Sequence, residues 1–202
     1  MRLDLPAHPF KAYIFDCDGT IADTMPLHFR AWTRAMQEHG GQFPEDLFYA
    51  WGGTPTRKIV EQLNEKFGTS MDPDAVLPDK ERYFVELIPE VLPVEPVVAI
   101  ARQFHGTAPM AIASGGHREI VVKTLEALHL LELFDTIVTI EDVEHGKPAP
   151  DTFLEAARRL GVEPESCLVF EDSPTGIAAA NAAGMQSVFV PTAPRPAQGG
   201  AA

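Results

Sequence analysis

A chain of 202 residues that is 45% hydrophobic and 22% charged is long enough for one globular core, or for a core that carries a small inserted domain. Its formal net charge of −13 repels nucleic acid phosphates and anionic membranes, so neither is an expected partner. No apolar run is long enough to cross a bilayer, and the N-terminus lacks the apolar stretch of a signal peptide, so we expect a cytoplasmic location.

The two cysteines, Cys17 and Cys167, both lie in apolar runs of the sequence. We expect both to be reduced side chains buried in the core. Because no C-x-x-C spacing is present, the sequence does not predict a zinc site.

Short runs that are apolar at nearly every position predict strands covered on both faces. They are Ala12–Phe15, Pro109–Ala113, Thr136–Ile140, Cys167–Phe170 and Ser187–Val190. Helical periodicity occupies three of the later connections: His117–His129, Asp151–Leu160 and Pro174–Ala182. Strand alternating with helix predicts an α/β fold, with a Rossmann-like parallel sheet flanked by helices.

The connection between the first two predicted strands is about ninety residues long, far more than one crossover helix needs. Segments with helical patterning lie within it: Leu27–His39, Thr56–Phe67, Asp74–Leu87 and Glu95–Phe104. We therefore predict a small α-helical cap domain over residues 24–89. Residues 1–23 and 90–190 would form the α/β core, and the Pro-, Gly- and Ala-rich residues 191–202 a flexible tail.

Polar clusters follow four of the predicted strands, where an open parallel sheet binds its ligands. They are Asp16-Cys17-Asp18-Gly19-Thr20, Ser114-Gly115-Gly116, His145-Gly146-Lys147-Pro148 and Glu171-Asp172-Ser173-Pro174. We expect the four clusters to meet at one edge of the sheet.

The acidic clusters predict a magnesium site. In an extended segment Asp16 and Asp18 face the same side, and two close carboxylates repel each other unless a cation or a proton intervenes. A turn followed by a helix cap would explain Asp18-Gly19 equally well in isolation. Glu171 and Asp172 add two more acids after another strand, and Mg²⁺ is the cation that accepts few protein oxygens together with phosphate. We favour Asp172 as the direct ligand of this pair.

A phosphate ester bound by so acidic a chain needs local positive charge. Ser114 and Gly115 precede a predicted helix, whose free N–H groups favour an anion. Lys147 is followed by prolines that stiffen the chain around its ammonium group. Together with Mg²⁺, these groups can neutralise a phosphate dianion.

These motifs resemble a known family. Asp16-Cys17-Asp18-Gly19-Thr20 resembles motif I of the haloacid dehalogenase superfamily, and Ser114, Lys147 and Glu171-Asp172 look like its motifs II, III and IV in the correct order. The string Gly146-Lys147-Pro148-Ala149-Pro150-Asp151 is similar to the β-phosphoglucomutase-like subfamily. The string His105-Gly106-Thr107-Ala108-Pro109-Met110-Ala111 looks more like its fructose-1-phosphate phosphatase branch.

The resemblance implies a phosphatase that acts in two steps. Asp16 would attack phosphorus to form an aspartyl phosphate, while Asp18 would serve as general acid and then general base. Mg²⁺ would be held by the Asp16 carboxylate, the Asp18 backbone carbonyl, and the pair Glu171 and Asp172. The phosphoryl oxygens would be bound by Ser114, Gly115 and Lys147.

The cap would contact the leaving group, which we expect to be part of a small phosphorylated metabolite. The candidate substrate residues there are Gly53, Thr56, Arg57 and His28. In β-phosphoglucomutases an arginine of this segment grips a second phosphate, and here Thr56 takes its place with Arg57 one residue further along. A sugar-phosphate phosphatase that works as a monomer is therefore the leading hypothesis. A phosphosugar mutase is the alternative, and a non-catalytic phosphate-binding module is the weaker one.

Overall fold

The computed structural model describes residues 3–7, 9–52 and 54–191. The strands are β1 (Ala12–Phe15), β2 (Ala22–Asp23), β3 (Leu92–Pro93), β4 (Met110–Ala113), β5 (Thr136–Val138), β6 (Cys167–Glu171) and β7 (Gln186–Phe189). The α-helices are α1 (Met25–Glu38), α2 (Glu45–Ala50), α3 (Thr56–Phe67), α4 (Pro73–Leu87), α5 (Glu95–Phe104), α6 (Arg118–Ala127), α7 (Asp151–Leu160) and α8 (Pro174–Ala182). None of these helices is both long and apolar enough to span a membrane.

A five-stranded sheet in the order β5-β4-β1-β6-β7 forms the centre of the fold, and all of its pairs are parallel. Phe15 at the end of β1 pairs with Ile112 on one side and Phe170 on the other. The strand ends therefore lie level, and the segments that follow them begin at the same edge. The predicted α/β fold with a parallel sheet flanked by helices is confirmed.

Alternate residues of the central strand enter two separate hydrophobic clusters. Tyr13 and Phe15 belong to a cluster that continues into the helices between β2 and β3, and Phe15 stacks on Phe170 with ring centroids 4.7 Å apart. Ala12 and Ile14 belong to the cluster on the other face, which includes Phe153 of α7. The sheet is covered on both faces, which explains why its strands read as continuous apolar runs.

Most predicted elements agree closely with the structure. The bounds of β1, α3, α5, α7 and α8 coincide with those predicted. Strand β5 ends at Val138, two residues before the predicted Ile140, because Thr139 and Asp142 form a capping box that starts a 3₁₀ turn there.

The sequence did not reveal α2 or the two-stranded antiparallel sheet of β2 and β3. This small sheet brings the two ends of the helical segment α1–α4 together, because Ala22 pairs with Pro93 and Asp23 with Leu92. The division into a core domain and a cap domain over residues 24–89 stays a prediction. The predicted flexible tail lies outside the described residues, apart from Pro191.

Candidate active site

The end of β1 places Asp16 and Asp18 at the edge of the sheet. Asp16 is buried, and its backbone N–H donates to the carbonyl of Phe170 on β6 at 3.0 Å. The chain then turns tightly, with Gly19 at a φ of +81°. A Cβ atom at Gly19 would lie 2.1 Å from Asp172 Oδ2, so the turn can approach Asp172 because residue 19 has no side chain.

The end of β6 holds Glu171 in a fixed position. Its Oε1 accepts hydrogen bonds from the backbone N–H of Asp172 at 3.1 Å, the N–H of Ser173 at 2.9 Å and the hydroxyl of Ser173 at 2.7 Å. Helix α8 approaches closely behind it, because a Cβ at Gly176 would lie 1.9 Å from Glu171 Cδ. Three hydrogen bonds therefore hold Oε1 of Glu171, and its second oxygen, Oε2, faces the site.

Lys147 links two strand ends that are far apart in sequence. Its Nζ donates to Asp16 Oδ1 and to Glu171 Oε2, each at 2.6 Å. Only 10% of the Lys147 side chain is exposed, so solvent screens these charge-assisted hydrogen bonds little. The structure therefore places Lys147, the predicted phosphate-binding lysine, within hydrogen-bond distance of Asp16, the predicted nucleophile.

Asp16, Glu171 and Asp172 form a compact acidic cluster. Each offers one carboxylate oxygen, and these atoms all lie within 4.8 Å of one another. The hydroxyl of Thr20 also donates to Asp172 Oδ1 at 3.3 Å. A donor set made only of oxygens suits a hard divalent cation such as Mg²⁺.

The pKa shifts show that this cluster is short of positive charge. Burial raises the pKa of Asp16 well above its usual range, the Glu171 carboxylate raises it further, and Lys147 offsets only part of the shift. Burial and Glu171 likewise raise the pKa of Asp172 to about 7. Burial lowers the pKa of Lys147, but Asp16 and Glu171 outweigh it and raise that pKa above its usual range. A bound cation would keep all three acids ionised, so the residues fit a metal ion.

Asp18 faces the helical segment rather than the acidic cluster. His28 Nε2 lies 3.5 Å from Asp18 Oδ1, and the His28 ring stacks on Phe84 with centroids 3.8 Å apart. Burial raises the pKa of Asp18, but His28 and the charge of Lys80 outweigh it and leave that pKa below its usual range. The second acid of the first motif is therefore held in its ionised form by groups from α1 and α4.

The Ser114 loop lies against Asp18. Ser114 is buried and its Oγ accepts a hydrogen bond from Gly116 N at 3.0 Å, while a Cβ at Gly116 would come within 3.6 Å of Asp18 Oδ2. The sequence predicted that the free N–H groups at the start of α6 would favour an anion, but one of them already has a partner. The N–H of Arg118 donates to the carboxylate of Glu141 at 3.2 and 3.3 Å. An anion here would use the loop N–H groups before α6, including that of Gly115.

The predicted cap residues differ in how close they lie to the site. His28 reaches Asp18, as described, whereas Arg57 is exposed and pairs with Asp74 at the start of α4. Thr56 begins α3 and is half-buried, and Gly53 lies outside the described residues. Among the described residues, Arg57 makes no hydrogen bond or ion pair with the acidic cluster. The structure therefore does not bring Arg57 to the site.

Lys80 is the charged group that sequence reasoning missed. Only 7% of its side chain is exposed, and its Nζ lies 5.4 Å from the centroid of the Phe84 ring. A signal was present, because Val76, Lys80 and Tyr83 share the buried face of α4 at helical spacing. Lys80 Nζ donates to Glu81 Oε1 at 2.9 Å, and the charge of Lys80 also lowers the pKa of Asp18.

Comparison with known proteins agrees with this geometry. The pattern of the haloacid dehalogenase-like hydrolases matches residues 10–184. The fructose-1-phosphate phosphatase YqaB of Escherichia coli is 39% identical over 90% of this chain and 96% of its own length. A phosphorylated carbohydrates phosphatase of Thermotoga maritima is 34% identical over 89% of this chain and 84% of its own.

Solved structures agree as well. The crystal structure of β-phosphoglucomutase from Clostridium difficile superposes with a TM-score of 0.74 at 26% identity, covering 88% of this chain and 83% of that one. Fold and relatives together define this protein as a phosphoric monoester hydrolase. The chain belongs to the haloacid dehalogenase-like hydrolase family.

Proposed function

We propose that this protein is a Mg²⁺-dependent phosphatase that hydrolyses a small sugar phosphate, similar to fructose 1-phosphate, through an aspartyl phosphate on Asp16. The observation that carries the proposal is the setting of Asp16. It is buried at the end of the central strand, hydrogen-bonded to Lys147 and clustered with Glu171 and Asp172. Asp18, two residues further on, is held separately by His28.

The metal would be held by the carboxylates of Asp16, Glu171 and Asp172 together with the backbone carbonyl of Asp18. When bound, Mg²⁺ would supply the positive charge that a phosphate ester needs in this acidic site. The raised pKa values of Asp16 and Asp172 support this assignment, because they mark carboxylates that lack a counter-charge.

In the first step, a carboxylate oxygen of Asp16 attacks phosphorus and the bond from phosphorus to the ester oxygen breaks. Asp18 gives its proton to the leaving alkoxide. The phosphate dianion of the incoming substrate favours the protonated form of Asp18 by like-charge repulsion, against the pull of His28 and Lys80. Ser114, the N–H of Gly115 and Lys147 would bind the phosphoryl oxygens during transfer.

In the second step, a water molecule attacks phosphorus and Asp18 takes its proton. The bond between phosphorus and the Asp16 oxygen breaks, which releases inorganic phosphate and restores the free carboxylate. The ionised form of Asp18 that the structure favours is the form this step requires.

A sugar phosphate is proposed as substrate because of the names of the relatives at 39% and 34% identity. We also propose that residues 24–89 form a cap, with His28 contacting the leaving group and Thr56 lining the approach to it. A phosphosugar mutase remains the second candidate, favoured by the similarity to β-phosphoglucomutase. The pairing of Arg57 with Asp74 weighs against that reaction, because a mutase needs a cationic grip on a second phosphate.

A panel of phosphorylated metabolites assayed with Mg²⁺, for the unmodified protein and for Asp16→Asn, tests the proposal. We expect release of inorganic phosphate from sugar monophosphates and its loss in Asp16→Asn. Release that survives in Asp16→Asn would remove Asp16 as nucleophile. Conversion of β-glucose 1-phosphate to glucose 6-phosphate without phosphate release would favour the mutase, and binding of esters without turnover would favour a phosphate-binding module.

A further inference from the structure

Phe153 lies in the hydrophobic core next to the proposed site. It belongs to the first turn of α7, is fully buried and has its N–H bonded to the carbonyl of Pro150 at 3.1 Å. Its ring is part of the hydrophobic cluster on one face of the sheet, with Ala111 and Val138 as fellow members. Taken alone, this position would suit any apolar side chain of similar volume.

The face of the Phe153 ring, however, lies against the positively charged ammonium group of Lys147. Lys147 Nζ lies over the ring, 4.7 Å from its centroid. This distance is within the range of about 6 Å at which the negative face of an aromatic ring attracts a cation. Because the Lys147 side chain is 10% exposed, water screens the attraction little.

Among the described residues, the Lys147 ammonium has hydrogen-bond acceptors for two of its three N–H donors. Two of its three N–H donors are directed to Asp16 and Glu171, each at 2.6 Å, and the aromatic ring lies against the ammonium as well. A flexible four-carbon stem would otherwise let the ammonium follow either carboxylate. Carboxylates and ring together fix where the third N–H donor can be presented to a phosphoryl oxygen.

We infer that Phe153 is a positioning residue for the reaction, whose ring face holds the Lys147 ammonium in place for the phosphoryl group. This inference rests on the proposed function, because it gives Lys147 the task of binding the transferred group. It assigns to Phe153 a contribution that depends on the negative charge of the ring face and that apolar packing cannot supply.

Stepwise fluorination of the ring tests the inference. Site-specific incorporation of 4-fluoro-, 3,5-difluoro- and 3,4,5-trifluorophenylalanine at position 153 weakens the negative face progressively while the ring shape changes little. We expect kcat/KM for the best phosphate ester to fall at each step, by about tenfold across the series. Inhibition by inorganic phosphate should weaken in the same order. Phe153→Leu should lose at least as much activity as the trifluoro variant.

Phe104 provides the matched control. It lies at the end of α5, partly buried and stacked on Tyr13 with centroids 3.9 Å apart, on the opposite face of the sheet from Phe153. The same fluorinated residues at position 104 should leave kcat/KM unchanged. Equal kcat/KM across the series at position 153 would overturn the inference, and so would an equal fall in kcat/KM across the series at position 104. The phosphatase proposal is tested separately, by turnover in the unmodified protein and its loss in Asp16→Asn.

Discussion

At the scale of single residues, Asp172 connects the acidity of the site to its metal. Burial and the Glu171 carboxylate raise its pKa to about 7, so near neutral pH a proton competes with a cation for this oxygen. Above about pH 7 the Asp172 carboxylate is ionised and can bind the metal directly. Below about pH 7 the carboxyl group is protonated, so each Mg²⁺ ion that binds must displace a proton.

Magnesium binding should therefore weaken as the pH falls. We expect the apparent Kd for Mg²⁺ to rise by at least about tenfold per pH unit below pH 7, with about one proton from Asp172 released per ion bound and a further share from Asp16, whose pKa is also raised. Calorimetric titration in buffers of different ionisation enthalpy measures both quantities. Asp172→Asn is the matched control and should bind more weakly with a flatter pH dependence. A Kd that stays constant from pH 6 to pH 8 would contradict the assignment of Asp172 as a ligand.

Lys80 influences the reaction through charge, without touching the phosphate in this account. Its ammonium lowers the pKa of Asp18, after the larger effects of burial and His28, so Lys80→Met should raise that pKa. Because the second step needs ionised Asp18, the acid limb of the kcat profile should move to higher pH. Lys58→Met, which removes an exposed lysine of α3, should leave the profile unchanged. An unmoved acid limb in Lys80→Met would show that Lys80 only fills space.

At the scale of secondary-structure elements, Asp142 connects the outer strand β5 to helices α6 and α7. Its carboxylate binds Arg159 of α7 at 2.7 Å and also pairs with Arg118 of α6, and its Oδ2 accepts a hydrogen bond from Thr139 N at 2.8 Å. Both arginines also donate to the carbonyl of Ile137, on the outer strand β5. This arrangement covers part of an edge that could otherwise pair with another chain.

The Asp142 network should make stability depend on pH. Burial raises the pKa of Asp142, but Arg159 and its other partners outweigh burial and lower it to about 2, so its stabilisation is complete above the unfolded value near 4 and lost as the pH falls through about 2. Asp142→Asn should lose about 2 kcal/mol of unfolding free energy at pH 7 and less at pH 3, measured by urea denaturation. Glu61→Gln, an exposed change in α3, should cost little at either pH. An Asp142→Asn cost that is equal at both pH values would refute the electrostatic explanation.

The sequence predicted the elements that depend on strong local patterns. Continuous apolar runs located β1, β4 and β6, and their ends located Asp16, Ser114 and Glu171. It could not predict β2 and β3, because two-residue strands carry no periodicity and Pro93 disfavours one.

Tertiary contacts decided the remaining features of the site. The spacing of α4 could have indicated Lys80, but only packing shows that its charge acts on Asp18 and His28. The exposed pair between Arg57 and Asp74 depends on how α3 and α4 lie side by side, which local sequence does not state. The hydrogen bond from the first N–H of α6 to Glu141 likewise depends on the turn after β5, which carries Glu141.

At the scale of the whole molecule, the net charge of −13 opposes the approach of a phosphate dianion while the acidic site attracts its metal. Added salt screens this repulsion, since the Debye length falls to about 10 Å at 0.1 M. At saturating Mg²⁺ we expect kcat/KM to rise with KCl up to about 0.1 M, while kcat stays constant. A kcat/KM that falls steadily with salt would indicate a cationic path to the site that this account does not contain.

The central claim is that Asp16 carries the phosphoryl group. An aspartyl phosphate is reduced by borohydride to homoserine, so a rapid quench during turnover, followed by reduction and peptide mass spectrometry, locates the modified residue. We expect homoserine at position 16 when sugar phosphate and Mg²⁺ are both present, and none when either is left out. Turnover with an unmodified Asp16 at every quench time, or modification of another residue instead, would contradict the account.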